Sequence, residues 1–206
     1  MSRRLIDYGE RGLLLECADL TETLGLLRSL RNAEFEEISE VVPGARSLYL
    51  RLDAPVSRQR RGELLALPPS TDDDADIGGE VSIDVHYDGE DLAEVAEHCG
   101  MTTEEVIAAH TGQTWTVGFC GFAPGFGYLH GENERLRVPR RATPRTTVPT
   151  GAVGLADVWS GIYPRRGPGG WQLIGHTTQS IWDLRRKPPA LLRPGTTVRF
   201  IDKSAP

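Results

Sequence analysis

Three stretches of the 206-residue sequence combine residue types that binding or catalysis can use. The first, GFCGFAPGFGYLHG (118–131), places five glycines, three phenylalanines, a tyrosine and a proline in fourteen residues. Glycine lets backbone turn sharply and approach a neighbour, while rings enclose apolar volume. The combination suits a pocket lip or a protein contact; a β-barrel corner with its rings in the core is the alternative. The second stretch is rich in arginine. Between Arg135 and Gly175 there are seven (135, 137, 140, 141, 145, 165 and 166) against one acid, Asp157. Guanidinium forks bind carboxylate or phosphate in a bidentate manner, so a cluster of them points to an anionic substrate or an acidic protein face; a solvated charged face is the plainer reading. In the third stretch, GIYPRRGPGGWQLIGHT (161–177), Pro168-Gly169-Gly170 reads as a tight turn leading Trp171, Leu173 and Ile174 into a buried strand. Tyr163 and Gln172 are its hydrogen-bonding candidates at a pocket edge.

Several chemistries have no support. Gly125-x-Gly127 carries His130 where a dinucleotide-binding loop needs its third glycine, and GxxxxGK[ST] does not occur. GxSxG, HExxH and HxxxH are also absent. The five histidines (86, 98, 110, 130, 176) are too scattered for a sequence-local metal site, so no metal is expected. His110 and His176 are placed where an imidazole could titrate near neutral pH. Cys120 resembles a nucleophile only by lying beside Gly121, and a core thiol is the better reading.

The elements that must position these groups fall into two sets. Strands are expected at 11–17, 36–42 and 47–52, with helices at 20–30, opened by Asp19-x-x-Glu22, and 57–67. This mixture of strands and helices suggests a small α+β sandwich. PPSTDDDADIGG (68–79) then reads as a linker. Beyond it, Val81, Ile83 and Val85 share one strand face. Two helices follow, the first capped by Asp88 and ending at Gly100, the second capped by Thr102-x-x-Glu105 and ending at Gly112. From Gln113 onward, short apolar runs broken by Gly and Pro indicate a mostly β barrel or sandwich, with prolines 139, 144 and 149 kept out of central strands.

Composition bounds the rest. Hydrophobic residues make up 39% and charged residues 25%, with 23 basic against 29 acidic side chains and a net charge of −6. That balance argues against nucleic acid or an anionic membrane surface as partner. No run approaches the roughly 20 apolar residues of a membrane span, and Leu13–Leu15 is too short for a signal-peptide core, so a cytoplasmic location is expected. Three widely spaced cysteines suggest neither a disulfide framework nor a zinc site.

GFAPGFGYL (121–129), PRRATPRTTVPTGAVG (139–154), GIYP (161–164), PGGWQLIG (168–175) and PPALLRPGTTVRF (188–200) together resemble the KipI-like proteins, also called allophanate hydrolase subunit 1 and the B-type subunit of 5-oxoprolinase. HTG (110–112) and RSLYLRLD (46–53) add weaker support. The sequence departs from that pattern at Cys120, Gly127, His130 and His176, the last standing where arginine is common.

The resemblance implies an α+β N-terminal domain (1–79) followed by a mostly β, cyclophilin-like barrel domain (80–206). It also implies one component, inactive alone, of an ATP-dependent 5-oxoprolinase that hydrolyses 5-oxo-L-proline to L-glutamate. Expected partners are a C-type 5-oxoprolinase subunit, equivalent to allophanate hydrolase subunit 2, and an A-type 5-oxoprolinase subunit, with ATP bound mainly outside this chain. Two alternatives accompany it: a protein-binding module that inhibits a sensor histidine kinase, and a urea or allophanate pathway component. Arg140, Arg141 and Arg145 are expected to contact a substrate carboxylate or phosphorylated intermediate. His110 and Gln172 would be polar pocket residues, with Phe122, Pro124, Gly125, Tyr128 and Trp171 around them, forming half of a cavity that a companion completes. No catalytic base is identified. Arg145→Ala is expected to weaken turnover without unfolding the protein.

Overall fold

A computed structural model of the chain describes residues 3–33, 35–71 and 78–204. Residues 72–77 of the expected linker lie outside them. The chain divides into two compact units, Met1–Ile77 and Gly78–Pro206.

In the first unit, β1 (Leu5–Asp7), β2 (Gly12–Glu16), α1 (Leu20–Asn32), β3 (Ile38–Pro43), β4 (Ser47–Leu52) and α2 (Arg58–Ala66) follow in that order. The strands form an antiparallel sheet in the order β1-β2-β4-β3. Period-two alternation buries Leu13, Leu15, Leu48 and Leu50 on one face, and Leu24, Leu27 and Leu30 of α1 cover it. The Asp19 carboxylate accepts from Glu22 N at 2.8 Å and so caps α1. The Glu22 side chain reaches back to Ala18 N rather than to the cap residue.

The second unit comprises β5 (Glu80–Val85), α3 (Leu92–Cys99), α4 (Thr103–Thr111), β6 (Trp115–Cys120), β7 (Gly127–His130), β8 (Arg145–Val148), β9 (Ala152–Ala156), β10 (Trp159–Ile162), β11 (Gly167–Gly169), β12 (Gln172–His176) and β13 (Thr197–Asp202). Seven strands form one sheet, ordered β12-β9-β10-β7-β6-β13-β5. All neighbours are antiparallel except β13 and β5, which run parallel over six residue pairs. The sheet nearly closes on itself. His86 N donates to His176 O (2.9 Å) and His176 N to His86 O (2.8 Å), and the seam continues from Gly89 N to Ile174 O and from Asp91 N to Leu173 O. The result is a barrel-like, mostly β unit.

Its sheet has two apolar faces. One core gathers Ile83, Val85, Val117, Leu129, Val153, Leu155 and Phe200 beneath α3 and α4. A second gathers Phe126, Ala152, Ala156, Tyr163, Trp171 and Leu173. All five residues of β9 are buried, as a strand covered on both sides must be.

Two local expectations are corrected. Asp88 does not cap the first helix: Asp91 holds the N-cap position of α3 and makes no side-chain cap bond. Pro168-Gly169 is not a turn but part of β11, which pairs with β8 in a separate two-stranded sheet. Gly169 is needed there for close approach, since a Cβ would lie 2.3 Å from the Tyr163 hydroxyl. Gly100 closes α3 in the left-handed conformation (φ 63°), and Thr102 and Glu105 form a complete capping box on α4.

Candidate functional site

Two of the three arginines expected at the substrate already have a partner. Asp91 Oδ1 accepts from Arg141 Nη1 at 2.5 Å and from Arg145 Nη2 at 2.8 Å, while its Oδ2 accepts from Leu173 N at 2.7 Å. The carboxylate is 3% exposed, and Arg145 and Arg141 are 16% and 30% exposed. Burial opposes the charge on Asp91, but the Arg145 and Leu173 hydrogen bonds and the two guanidinium charges hold its pKa below the usual carboxylate range. Gln172 sits beside this network, donating weakly to Pro139 O at 3.4 Å. Arg141 Nε, Arg145 Nη1 and Gln172 Oε1 are buried without a hydrogen bond among the described residues. Arg140 differs from its neighbours. It is exposed and makes no ion pair with the described residues, and its charge acts on the phenols of Tyr128 and Tyr163.

The aromatic loop is mostly packed interior. Phe126 is the hub, with ring centroids 5.1 to 5.3 Å from Phe122, Tyr128, Tyr163 and Trp171, all edge-on. Phe126, Tyr163 and Trp171 are at most 5% exposed, so Trp171 supports a wall rather than facing a ligand. Tyr128 is half-buried, stacked on Phe119 at 4.3 Å. Pro124 is exposed. Phe122 is 60% exposed and adopts φ 67°, a left-handed conformation costly for a bulky side chain. Gly125 (φ 84°) lies between Trp182 and Pro164, where a Cβ would come within 3.0 Å of the tryptophan.

His110 is corrected from a pocket residue to a core residue. It is fully buried, with Nδ1 2.7 Å from the Tyr87 hydroxyl, Nε2 2.9 Å from Ser160 Oγ, and its ring stacked on Phe200 at 4.3 Å. A neutral imidazole satisfies both contacts, one nitrogen donating and the other accepting. Burial pushes its pKa down to about 3, removing it from titration near neutral pH. Cys120 donates to Leu192 O, and burial pushes its thiol up to about 11, as befits a core thiol rather than a nucleophile. Among the described residues no group of three or more His, Cys, Asp or Glu could hold a metal ion.

An open depression at the barrel seam includes Tyr163, expected at a pocket edge, but not Gln172. About 450 Å³ in volume, it is lined by Thr150 and Gly151, Tyr163 and Pro164, and the run from His176 to Ile181. His176 Nδ1 is 2.7 Å from Asp88 Oδ1, and its ring stacks on His86 at 5.3 Å. Sequence proximity could not reveal this, because Asp88 and His176 meet only when β12 closes on the segment after β5. The signal available was the identity of the PTG, IYP and GHT segments, each ending or beginning at a strand.

Residues 4–192 match the carboxyltransferase domain, subdomain C and D, and the chain belongs to that family. It is 51% identical over 113 residues to the 5-oxoprolinase B subunit of Escherichia coli O157:H7, covering 55% of this chain and 52% of that protein. With the 5-oxoprolinase B subunit of Haemophilus influenzae it shares 48% over 127 residues, 60% of each. The chain thus spans between half and three fifths of these relatives' lengths. Among solved structures, TTHA0988 superposes with a TM-score of 0.78 at 38% identity, over 95% of this chain and 40% of that one. No helix among the described residues is long and apolar enough to cross a membrane.

Proposed function

We propose that this chain is the B-type component of an ATP-dependent 5-oxoprolinase, an assembly that opens the lactam of 5-oxo-L-proline to give L-glutamate. The observation that carries this reading is the 51% identity over 113 residues to a protein of that name. The seven-stranded, nearly closed sheet supports a cyclophilin-like barrel preceded by an α+β domain. Its companions are the A-type and C-type 5-oxoprolinase components, the latter equivalent to allophanate hydrolase subunit 2, and the enzyme works in the cytoplasm.

Nucleotide phosphates belong to a companion in this reading. The loop 121–126 leads into strand β7 rather than a helix, so it offers no helix N-terminus to an anion. Of the three arginines expected at the substrate, Arg140 makes no ion pair with the described residues and is available to the substrate carboxylate beside Tyr128, with Phe122 and Pro124 as the exposed rim and Gly125 buried behind them. Arg141, Arg145 and Gln172 hold that segment in place from beneath, and Trp171 backs the rings.

Co-expression with the two companions should give 5-oxoproline-dependent ATP hydrolysis; its absence removes the assignment. Arg140→Ala should lower kcat/KM by roughly 10- to 100-fold, the worth of one charge-assisted hydrogen bond of about 1.5–3 kcal/mol. Its melting temperature should change little, because the side chain is exposed and makes no ion pair with the described residues.

A further inference from the structure

The depression at the seam is built rather than incidental. The turn carrying Thr150 is tied to two segments, to the one after β12 by Thr177 N donating to Gly151 O (2.9 Å) and to the one after β10 by Gly151 N donating to Tyr163 O (2.8 Å). Only glycine permits this approach: Gly151 has φ 82°, and a Cβ there would lie 2.1 Å from Thr177 O. A volume of about 450 Å³ falls within the range of small-molecule pockets.

Its polar groups divide into committed and free. Gln179 is committed, accepting from Asp84 N and donating to Ser82 O, as is Ser180, which donates to Trp182 O. Thr177 Oγ1 accepts from Gln179 N. Thr150 Oγ1, Thr178 Oγ1 and His176 Nε2 have no hydrogen bond to the described residues. The Asp88 carboxylate can only accept, so in the neutral imidazole the hydrogen stays on Nδ1 and the lone pair on Nε2. Pro164 and Ile181 add an apolar wall, and no lysine, arginine, aspartate or glutamate among the described residues lines the space.

We propose that this depression binds a small uncharged amide or lactam. His176 Nε2 accepts the amide N–H, the Thr150 and Thr178 hydroxyls donate to the carbonyl, and the methylene face rests on Pro164 and Ile181. Asp88 is a positioning residue that fixes the imidazole tautomer. An anion is matched less well, because the free nitrogen is an acceptor and a carboxylate stands behind it. The site follows from the geometry alone; only the preference for a lactam ring rests on the function proposed above.

The test is a titration of the full chain with 2-pyrrolidinone, 5-oxo-L-proline and acetate, followed through the imidazole nitrogens of His176 and the backbone amides of Thr150 and Thr178 by NMR. 2-Pyrrolidinone should shift these signals, 5-oxo-L-proline, an anion at neutral pH, should shift them less, and acetate should not. His176→Ala and Thr178→Val should each weaken 2-pyrrolidinone binding about tenfold, equal to about 1.4 kcal/mol. Asp88→Ala should weaken it less and also scramble the Nδ1–H tautomer signature of His176, which a merely structural role would leave alone. Lactams that leave these resonances unmoved at high millimolar concentration, or acetate that moves them equally, would overturn the proposal. Lactam binding without turnover in the assembled complex would instead sink the 5-oxoprolinase reading and leave this site standing.

Discussion

Removing the carboxylate of Asp91 would strand two guanidinium groups and the Leu173 N–H at one point. The cost of breaking such a buried pair is about 3 kcal/mol, so Asp91→Ala should lower the unfolding free energy by about that amount in chemical denaturation. Arg145→Ala leaves the buried carboxylate half-compensated, and lost stability should accompany any lost turnover, contrary to the expectation from sequence alone. The folded pKa of Asp91 lies below its unfolded value, so its contribution is complete above the unfolded carboxylate pKa, near 4, and disappears as pH falls through the folded value. The arginine cluster was legible in the sequence as an anion-binding feature. That the anion for two members is the chain's own Asp91 was not, because Asp91 and Arg141 are fifty residues apart and only folding joins them. Phe122 offers a contrasting case. Phe122→Gly relieves a strained backbone while deleting a mostly exposed ring, so stability should change by no more than about 1 kcal/mol. A larger loss would mean that the ring's edge contacts with Phe126 and Tyr163 outweigh the strain.

At the scale of elements, α4 carries its last turn into the barrel core through His110. The imidazole stays neutral when folded, with a pKa of about 3, and regains an ordinary value when unfolded. The unfolded state therefore binds the extra proton between about pH 6.5 and pH 3, and stability should fall by up to about 1.4 kcal/mol per pH unit on acidification through that window. Denaturant titrations should show this slope in the wild type and lose it in His110→Phe, whatever that variant's absolute stability. Element boundaries were well marked where local chemistry sets them. The Thr102–Glu105 box, Gly100 and the alternation of Val81, Ile83 and Val85 each correspond to the element they announce. Asp88 and Pro168-Gly169 were misread because their roles are tertiary: one pairs with His176, the other with β8.

For the second unit as a whole, the parallel pairing of β13 with β5 joins the beginning of the barrel sequence to its end. No periodicity announces such a pairing, since it depends on everything folded between the two strands. Phe200 is the plug of that closure, 3% exposed and stacked on His110. Phe200→Ala should cost about 3–5 kcal/mol in thermal or chemical unfolding. A loss below about 1 kcal/mol would show that β13 is dispensable to the cylinder.

The cylinder is held unevenly around its circumference. β13 and β5 are zipped over six residue pairs, whereas β12 meets the chain beyond β5 through a single reciprocal bridge at His86 and His176 and two further amides. A hoop with one weak stave breathes there first, so solvent deuterium should reach the amides of His86, His176 and Gly89 well before those of Val198 and Phe200. Whatever settles into the adjoining hollow would act as a clasp and slow that leak.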